Sequence, residues 1–222
     1  MPKIKICGLW RERDIEYANE AGPDYVGFVF AESRRRVTPA RAAALRARLR
    51  PGIIPVGVFV DAAAEEIAAL CRGGVIEAVQ LHGHETNGDV AALKARCRVP
   101  IIRAVRVGEG GGPCAADPGA ADFLLFDSGA GSGRPFDWRR LTWVAPATHN
   151  PNSCFLSPLR GNKVPKAPRA PYFLAGGIGL HNLAGALALG PYGVDISSGA
   201  ETGGVKDLKK MRALVEELRI ES

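Results

Sequence analysis

The sequence predicts an α/β protein of (β/α)8 architecture, a TIM barrel, and three observations lead there. Short apolar runs alternate with Ala-, Leu- and charge-rich stretches from end to end; the runs number eight; and the last two break into glycine- and serine-rich junctions. The runs are Lys3–Cys7, Tyr25–Phe30, Ile54–Val60, Ala78–Leu81, Ile101–Val105, Phe123–Phe126, Tyr172–Ala175 and Gly193–Ile196. Their near-continuous hydrophobicity suits parallel strands covered on both faces. Eightfold strand–helix repetition suits a closed barrel. A doubly wound open sheet is the alternative, but no G-x-G-x-x-G follows the first run. The 222 residues are expected to form one domain, 1–222.

The segments between the runs carry helix signals. Thr38-Pro39 offers an N-cap followed by proline at the first helical position. Asp61 and Asp207 are further candidate N-caps, and Leu208, Met211, Leu214, Val215 and Leu218 form an apolar stripe on the last helix. Gly108–Gly119 is rich in Gly and Pro, so the fifth helix should be degenerate. Trp143–Ala170 has five prolines and little periodicity. It reads as an irregular surface insertion (143–170) before strand seven, emerging at the N-terminal face of the barrel and leaving the active-site mouth uncovered.

Composition narrows the function classes. Hydrophobic residues make up 46% and charged residues 23%, ordinary for a globular protein with a substantial core. No apolar run approaches the ~20 residues of a membrane helix, and the chain enters its first strand at Lys3, so neither a membrane nor a signal peptide is expected. Five cysteines without pairing or metal spacing, and four histidines with only His82-Gly83-His84 close together, suit a reducing cytoplasmic setting and no metal centre. Cys71 and Cys97 read as small core residues. The formal charge of +6 arises mainly from Arg160, Lys163, Lys166 and Arg169, in a segment with no acidic residue. That excess sits in one loop rather than on a basic face interleaved with aromatics, so nucleic acid is not an expected partner.

In such a barrel the strand ends face the substrate. Leu174-Ala175-Gly176-Gly177-Ile178 and Gly193-Val194-Asp195-Ile196-Ser197-Ser198-Gly199 end strands seven and eight in small residues that can present backbone N–H groups to an anion. Gly176, Gly177, Ser197, Ser198 and Gly199 are therefore the candidate phosphate cradle, and a phosphorylated small molecule the expected partner. Strand alternation turns Lys5 and Cys7 inward and Ile4 and Ile6 outward. A charged lysine beneath the thiol would favour a thiolate, although a small core role for Cys7 is equally open. Asp127 ends strand six, where a carboxylate needs a partner or a task; capping the following glycine-rich loop is the competing role. With strands seven and eight between them, Cys7 and Asp127 would flank a ligand as base and acid. Asp195 is placed to pair with Lys5 or to meet a substrate hydroxyl. Arg34-Arg35-Arg36 stands at the mouth, where one arginine can clamp a carboxylate. Gln80 and His82 close strand four and could line the pocket, and Arg103 in strand five needs an anion, from the protein or the ligand.

Read in order, these strand ends resemble the phosphoribosylanthranilate isomerase family. The matching pieces are Lys3–Leu9, Gly27–Phe30 with Ser33, Arg35 and Val37, Val56–Val60, Val79–Gly83, Leu125–Asp127, Gly131–Gly133 with Phe136-Asp137-Trp138, Leu174–Ile178 with Asn182, and Gly193–Gly199 with Glu201, Gly204, Lys206 and Asp207. The resemblance implies an Amadori rearrangement in tryptophan biosynthesis without cofactor or metal; separately, the chain is expected to be a monomer or homodimer. On it, Asp127 is the general acid that opens the ribose ring, Cys7 the base at C2', Arg35 the partner of the anthranilate carboxylate, and Gly176–Gly177 with Ser197–Gly199 the phosphate site. Two departures stand out. The 143–170 segment is longer than the family connection, and Arg36 stands where an aromatic residue is frequent. A bifunctional relative serving histidine biosynthesis would be expected to end strand one in aspartate rather than cysteine. A non-catalytic phosphate-binding barrel would leave Cys7 and Asp127 dispensable.

Overall fold

A computed structural model describes residues 1–107, 117–127 and 170–220. Eight parallel strands close into a barrel in chain order: β1 (Lys3–Cys7), β2 (Tyr25–Val29), β3 (Ile54–Phe59), β4 (Ala78–Leu81), β5 (Ile101–Arg106), β6 (Phe123–Asp127), β7 (Tyr172–Leu174) and β8 (Gly193–Ile196). β8 returns to β1 with Lys5 opposite Asp195 and Ile6 opposite Ile196, which seals the cylinder. The expected runs all become strands, and five of them shift at the C-terminal end. Phe30, Val60 and Ala175 fall just outside β2, β3 and β7, while Arg106 and Asp127 extend β5 and β6. Hydrophobicity marks which residues are covered; the ladder stops where neighbouring strands cease to pair.

The helices among the described residues are α1 (Glu12–Ala21), α2 (Pro39–Ala47), α3 (Ala64–Arg72), α4 (Asn87–Arg96), α5 (Leu183–Leu187) and α6 (Leu208–Ile220). Thr38 caps α2 by accepting from Arg41 N at 3.2 Å, with Pro39 at the first helical position. Asp207 caps α6, its Oδ1 accepting from Lys209 N at 2.9 Å and Lys210 N at 3.3 Å. Met211, Leu214, Val215 and Leu218 of α6 are buried as the stripe requires, and Leu208 is half-buried. Asp61 is not a cap. Ala63 holds that position at α3, while Asp61 adopts a left-handed backbone (φ 50°) and its carboxylate takes His84, accepting from the backbone N at 2.6 Å and lying 2.9 Å from Nδ1. Hydrogen bonds from the His84 side chain and backbone, across the β3 and β4 loops, outcompete the helix end and hold the Asp61 carboxyl below the usual range. One element had no forecast: Glu201–Thr202 (β9) and Val205–Lys206 (β10) form an antiparallel hairpin between β8 and α6. Of Gly108–Gly119, where the sequence predicts a degenerate fifth helix, only Asp117–Gly119 are described, and they are not helical; the 143–170 insertion, its N-terminal-face placement included, lies outside the described residues except for Ala170.

Packing divides into two cores. Outward residues such as Ile4, Ile6, Phe126 and Val194 pack against the helices. Val56, Ala78, Ile102, Leu125 and Phe173 fill the barrel interior with Tyr25, Phe123 and Tyr192 around them. Phe173 meets Tyr25 and Tyr192 edge-on at 5.7 and 5.2 Å, and the Tyr25 and Tyr192 hydroxyls lie 3.0 Å apart. These aromatics stand at the N-terminal ends of their strands. They plug that end of the barrel and leave polar inward residues for the opposite mouth. Cys97 is buried in the outer core and Cys71 is half-buried beside it.

Asp14 secures the entry to α1. Fully buried, it accepts from Trp10 N, Arg11 N and the Arg11 guanidinium, at 2.6–3.1 Å. Truncation strands all of these donors. Asp14→Ala is expected to cost about 2 kcal/mol and to lower the melting temperature by roughly 4–8 °C for a domain of this size, read by circular dichroism.

Candidate active site

A cavity of about 190 Å³ opens at the C-terminal ends of the strands, lined by Cys7, Arg35, Gln80, His82, Asp127, Asp195, Gly176, Gly177, Ser197 and Ser198 among others. Nine strand-end or loop candidates thus meet at one place, together with the mouth arginine Arg35. A larger cavity of about 630 Å³ lies between α2 and α3, beside the stacked Phe30 and Phe59, but it holds none of them.

Beneath the cavity floor Lys5 is completely buried, and its Nζ donates to Asp195 Oδ1 at 2.9 Å. The β1–β8 register makes this pair, since the two residues stand opposite one another on inward-facing positions. Burial alone would lower the Lys5 pKa, but Asp195 and Cys7 outweigh it and hold the ammonium charged. The expected consequence for Cys7 is reversed. Burial of the thiol is the largest influence and pushes its pKa up, against the opposing pull of Lys5 and Lys206. Desolvation of the thiolate therefore beats attraction in the empty site. Gly27 explains how the thiol fits, because a Cβ there would lie 2.7 Å from Cys7 Sγ.

The arginine triplet separates cleanly. Arg36 points to Glu32 on the surface, and Arg34, well exposed, reaches Glu201 Oε2 at 2.8 Å. Arg35 lines the cavity, but its Nε and Nη2 already fork onto both oxygens of Glu201, each at 2.8 Å. Lys206 Nζ donates to the same carboxylate at 2.6 Å and to Ser197 O at 3.0 Å. Burial would raise the Glu201 pKa, but Arg35 and Lys206 outweigh it and hold the carboxyl below its usual range. Burial lowers that of Lys206 despite Glu201. Glu201 and Lys206 had no assigned role in the sequence reading. The signal was Glu201-Thr202-Gly203-Gly204-Val205-Lys206, a Gly-Gly turn that folds two ionisable residues onto one ladder position.

Arg103 is the candidate that does not belong. Ile102 and Ala104 face the interior, so Arg103 points out toward the start of α4. There its guanidinium takes Glu85 O at 3.0 Å, Asp117 O at 3.3 Å and Asn87 Oδ1. Carbonyl oxygens, not an anion, meet its charge.

On the far wall, His82 Nε2 lies 3.2 Å from Asp127 Oδ2, and Gln80 Nε2 lies 2.9 Å from His82 Nδ1. The last two loops form the remaining side. Gly176 and Gly177 take φ values of 88° and 66°, a region that L side chains rarely adopt. Asn182 ties their turn together, accepting from Gly179 N at 2.8 Å and donating to Gly177 O at 3.1 Å. Gly199 backs this loop so closely that a Cβ would stand 1.9 Å from Ile178 O. Ser197 Oγ donates to Cys7 O at 3.2 Å, joining the loop after β8 to the end of β1.

The fold and this convergence of thiol, carboxylate and small-residue loops at the barrel mouth define a (β/α)8-barrel enzyme. The family model described as N-(5'phosphoribosyl)anthranilate (PRA) isomerase matches residues 4–217. The N-(5'-phosphoribosyl)anthranilate isomerase of Endomicrobium trichonymphae is 42% identical over 225 residues, covering 99% of each chain. The crystal structure of the Thermus thermophilus phosphoribosyl anthranilate isomerase superposes with a TM-score of 0.77 at 31% identity, covering 99% of this chain and 100% of that one. A phosphoribosyl anthranilate isomerase in complex with reduced 1-(o-carboxyphenylamino)-1-deoxyribulose 5-phosphate matches at TM-score 0.70 and 25% identity, with 99% coverage of each chain. The chain belongs to the phosphoribosylanthranilate isomerase family.

Because burial holds the Cys7 thiol protonated, its reaction with iodoacetamide in the free protein is expected to be slow at neutral pH and to accelerate well above the ordinary thiol range. Lys5→Met should slow it further by removing the opposing charge. Peptide mass mapping separates Cys7 from the other cysteines. A rate at Cys7 already maximal near neutrality would contradict this balance.

Proposed function

We propose that this barrel converts N-(5'-phosphoribosyl)anthranilate to 1-(o-carboxyphenylamino)-1-deoxyribulose 5-phosphate, the Amadori step of tryptophan biosynthesis, with Cys7 as base and Asp127 as acid. The observation that carries the reading is that both groups line one cavity whose remaining wall is built from Gly176, Gly177, Ser197 and Ser198. Asp127 gives a proton to the ribose ring oxygen as the C1'–O bond breaks, leaving an iminium at C1'. Cys7, once its thiol proton has passed to solvent with Lys5 and Lys206 as the charges that favour the thiolate, takes the C2' proton, and the enolamine that forms ketonises to the product. Every step is a proton transfer or an internal bond rearrangement, so the route needs no cofactor and no metal.

Backbone amides of the β7 and β8 loops hold the phosphate, with Gly199 keeping the two loops in contact. Arg35 is the partner for the anthranilate carboxylate. Its fork is taken by Glu201 in the free protein, so the substrate carboxylate shares the guanidinium edge that Glu201 leaves. Gln80 and His82 complete the acid side, and Asp195 acts through Lys5. The substrate is the working partner, in the cytoplasm, with the chain as a monomer or homodimer and no part for nucleic acid or a membrane. No helix among the described residues is long and apolar enough to cross a membrane. Cysteine at the end of β1 favours the single-substrate reaction over one shared with histidine biosynthesis.

Consumption of phosphoribosylanthranilate, followed by its fluorescence, tests this directly. Cys7→Ser and Asp127→Asn should each lose at least ~100-fold in kcat while folding normally, in line with general acid–base contributions. Arg35→Ala should chiefly raise KM. Gly199→Ala should raise KM about tenfold through displacement of the phosphate loop, the worth of one charge-assisted hydrogen bond. Retained turnover in both Cys7→Ser and Asp127→Asn would overturn the assignment and leave a binding barrel.

A further inference from the structure

We propose that Glu201 is the positioning residue of the carboxylate clamp: it holds the Arg35 guanidinium by one edge, presents the other edge to the anthranilate carboxylate, and leaves the charge of that edge uncancelled. The inference rests on the isomerase reading and deepens it. Glu201 is not among the residues that line the cavity, so it acts on the substrate through Arg35, which is.

A guanidinium has two edges that can fork onto a carboxylate, Nε with Nη2 and Nη1 with Nη2. Glu201 occupies the first, its Oε1 accepting from Nε and its Oε2 from Nη2, each at 2.8 Å. Among the described residues Arg35 Nη1 makes no hydrogen bond, so the second edge is open to a ligand. The rest of the residue is constrained as well. Its backbone N donates to Ser33 Oγ at 3.1 Å, and its stem crosses Gly8 so closely that a Cβ there would lie 2.3 Å from Arg35 Cδ. Gly8 follows Cys7 at the end of β1, so the clamp lies against the strand end that carries the thiol. The Arg35 side chain is 17% exposed at the cavity wall and that of Glu201 only 5%.

A glutamate alone would position the arginine and spoil it, because a neutral Arg–Glu pair attracts a second carboxylate only weakly. The cluster avoids this. Each oxygen of Glu201 takes two donors: Oε1 accepts from Arg35 Nε and Lys206 Nζ, and Oε2 from Arg35 Nη2 and Arg34 Nη2. Arginine side chains stay charged in proteins, so Arg34 and Arg35 together exceed the single negative charge before Lys206 is counted. The carboxylate is thus shared among cations, and Arg35 keeps attraction to spare. Lys206 also anchors the arrangement, since its Nζ donates to Ser197 O at 3.0 Å. Removing ions from water is costly, and apolar contacts would hold a two-stranded hairpin as well. Four donors converging on one buried carboxylate beside the cavity arginine indicate a task beyond stability. An oriented, planar fork suits the flat carboxylate of an aromatic acid, and a ligand without that group leaves the edge unpaired, which gives discrimination.

The test measures affinity for two probes, reduced 1-(o-carboxyphenylamino)-1-deoxyribulose 5-phosphate and the same compound lacking the ring carboxylate. The proteins are wild type, Glu201→Gln, Arg35→Ala and the double variant, with KM and kcat measured alongside. Glutamine keeps the size of Glu201 but offers one acceptor where four donors converge. Glu201→Gln should weaken the carboxylate probe about tenfold, the scale of one charge-assisted hydrogen bond, and leave the other probe within about twofold. KM should rise about tenfold with kcat within about threefold of wild type. In the Arg35→Ala background Glu201→Gln should add less than about twofold, because the two act as one unit. Glu201→Asp keeps the charge that the buried cations need, and is read in the same way should Glu201→Gln not fold. With one methylene less reach, it should weaken the carboxylate probe alone, by about threefold. Equal weakening of both probes would overturn the inference and leave Glu201 a structural anchor. So would an undiminished preference for the carboxylate probe, a loss that persists without Arg35, or a fall in kcat at constant KM. Wild-type turnover of phosphoribosylanthranilate is read first: its absence would sink the isomerase reading, whereas turnover with any of those outcomes removes only the role of Glu201.

Discussion

The buried ion pair between Lys5 and Asp195 is the contact on which the site depends. It joins the first strand to the last at the closure of the barrel, and it sets a fixed positive charge under the thiol. Two ions removed from water cost several kcal/mol each before they attract one another. Such a pair is weak evidence for stability and stronger evidence for a task. Here the task is electrostatic: Lys5 is the principal force opposing the desolvation that keeps Cys7 protonated. Without Asp195, burial would work to discharge Lys5, and the thiol would lose its counterweight. Substrate entry adds two anions, a phosphate and a carboxylate, which oppose the thiolate further, so deprotonation of Cys7 depends on the Lys5 and Lys206 charges.

A second ionic cluster is built around Glu201, and its geometry shows how a short hairpin can organise a mouth. β9 and β10 bring Glu201 and Lys206 opposite each other, and the buried carboxylate then collects Arg34, Arg35 and Lys206. Lys206 also takes Ser197 O. One carboxylate therefore fixes the arginine on the β2 side and, through Lys206, the loop after β8. The cavity arginine Arg35 and the loop after β8, to which the proposed function gives the carboxylate and the phosphate, are thus joined through Glu201, Lys206 and Ser197.

Much of this was legible in the chain. Parallel strands buried on both faces must be apolar almost throughout, so all eight declared themselves, and alternation placed Cys7 inside because Ile4 and Ile6 had to face the helices. Strand order offered the Lys5–Asp195 pair as one of two roles for Asp195, since β8 neighbours β1 in any closed eight-stranded barrel, and the β1–β8 register brings the two together. Other features were not legible for reasons of the same kind. Arg103 has the same residue type whether it faces in or out, and only the register of Ile102 and Ala104 decided outward. Asp61 carries a cap signature, but His84, which no local pattern ties to it, claims the carboxylate. Glu201 binds residues 166 positions away in Arg35, beyond the range of any local rule.

By itself the sequence determined the barrel, the strand that each chemical group would terminate and the family to which the chain belongs, because hydrophobic periodicity and small-residue loops are local properties. Only the tertiary structure decided the protonation of Cys7, the partner of Arg35 and the contact between His82 and Asp127. These depend on how far each group is removed from water and on which distant charge arrives beside it, and neither is written in the neighbouring residues.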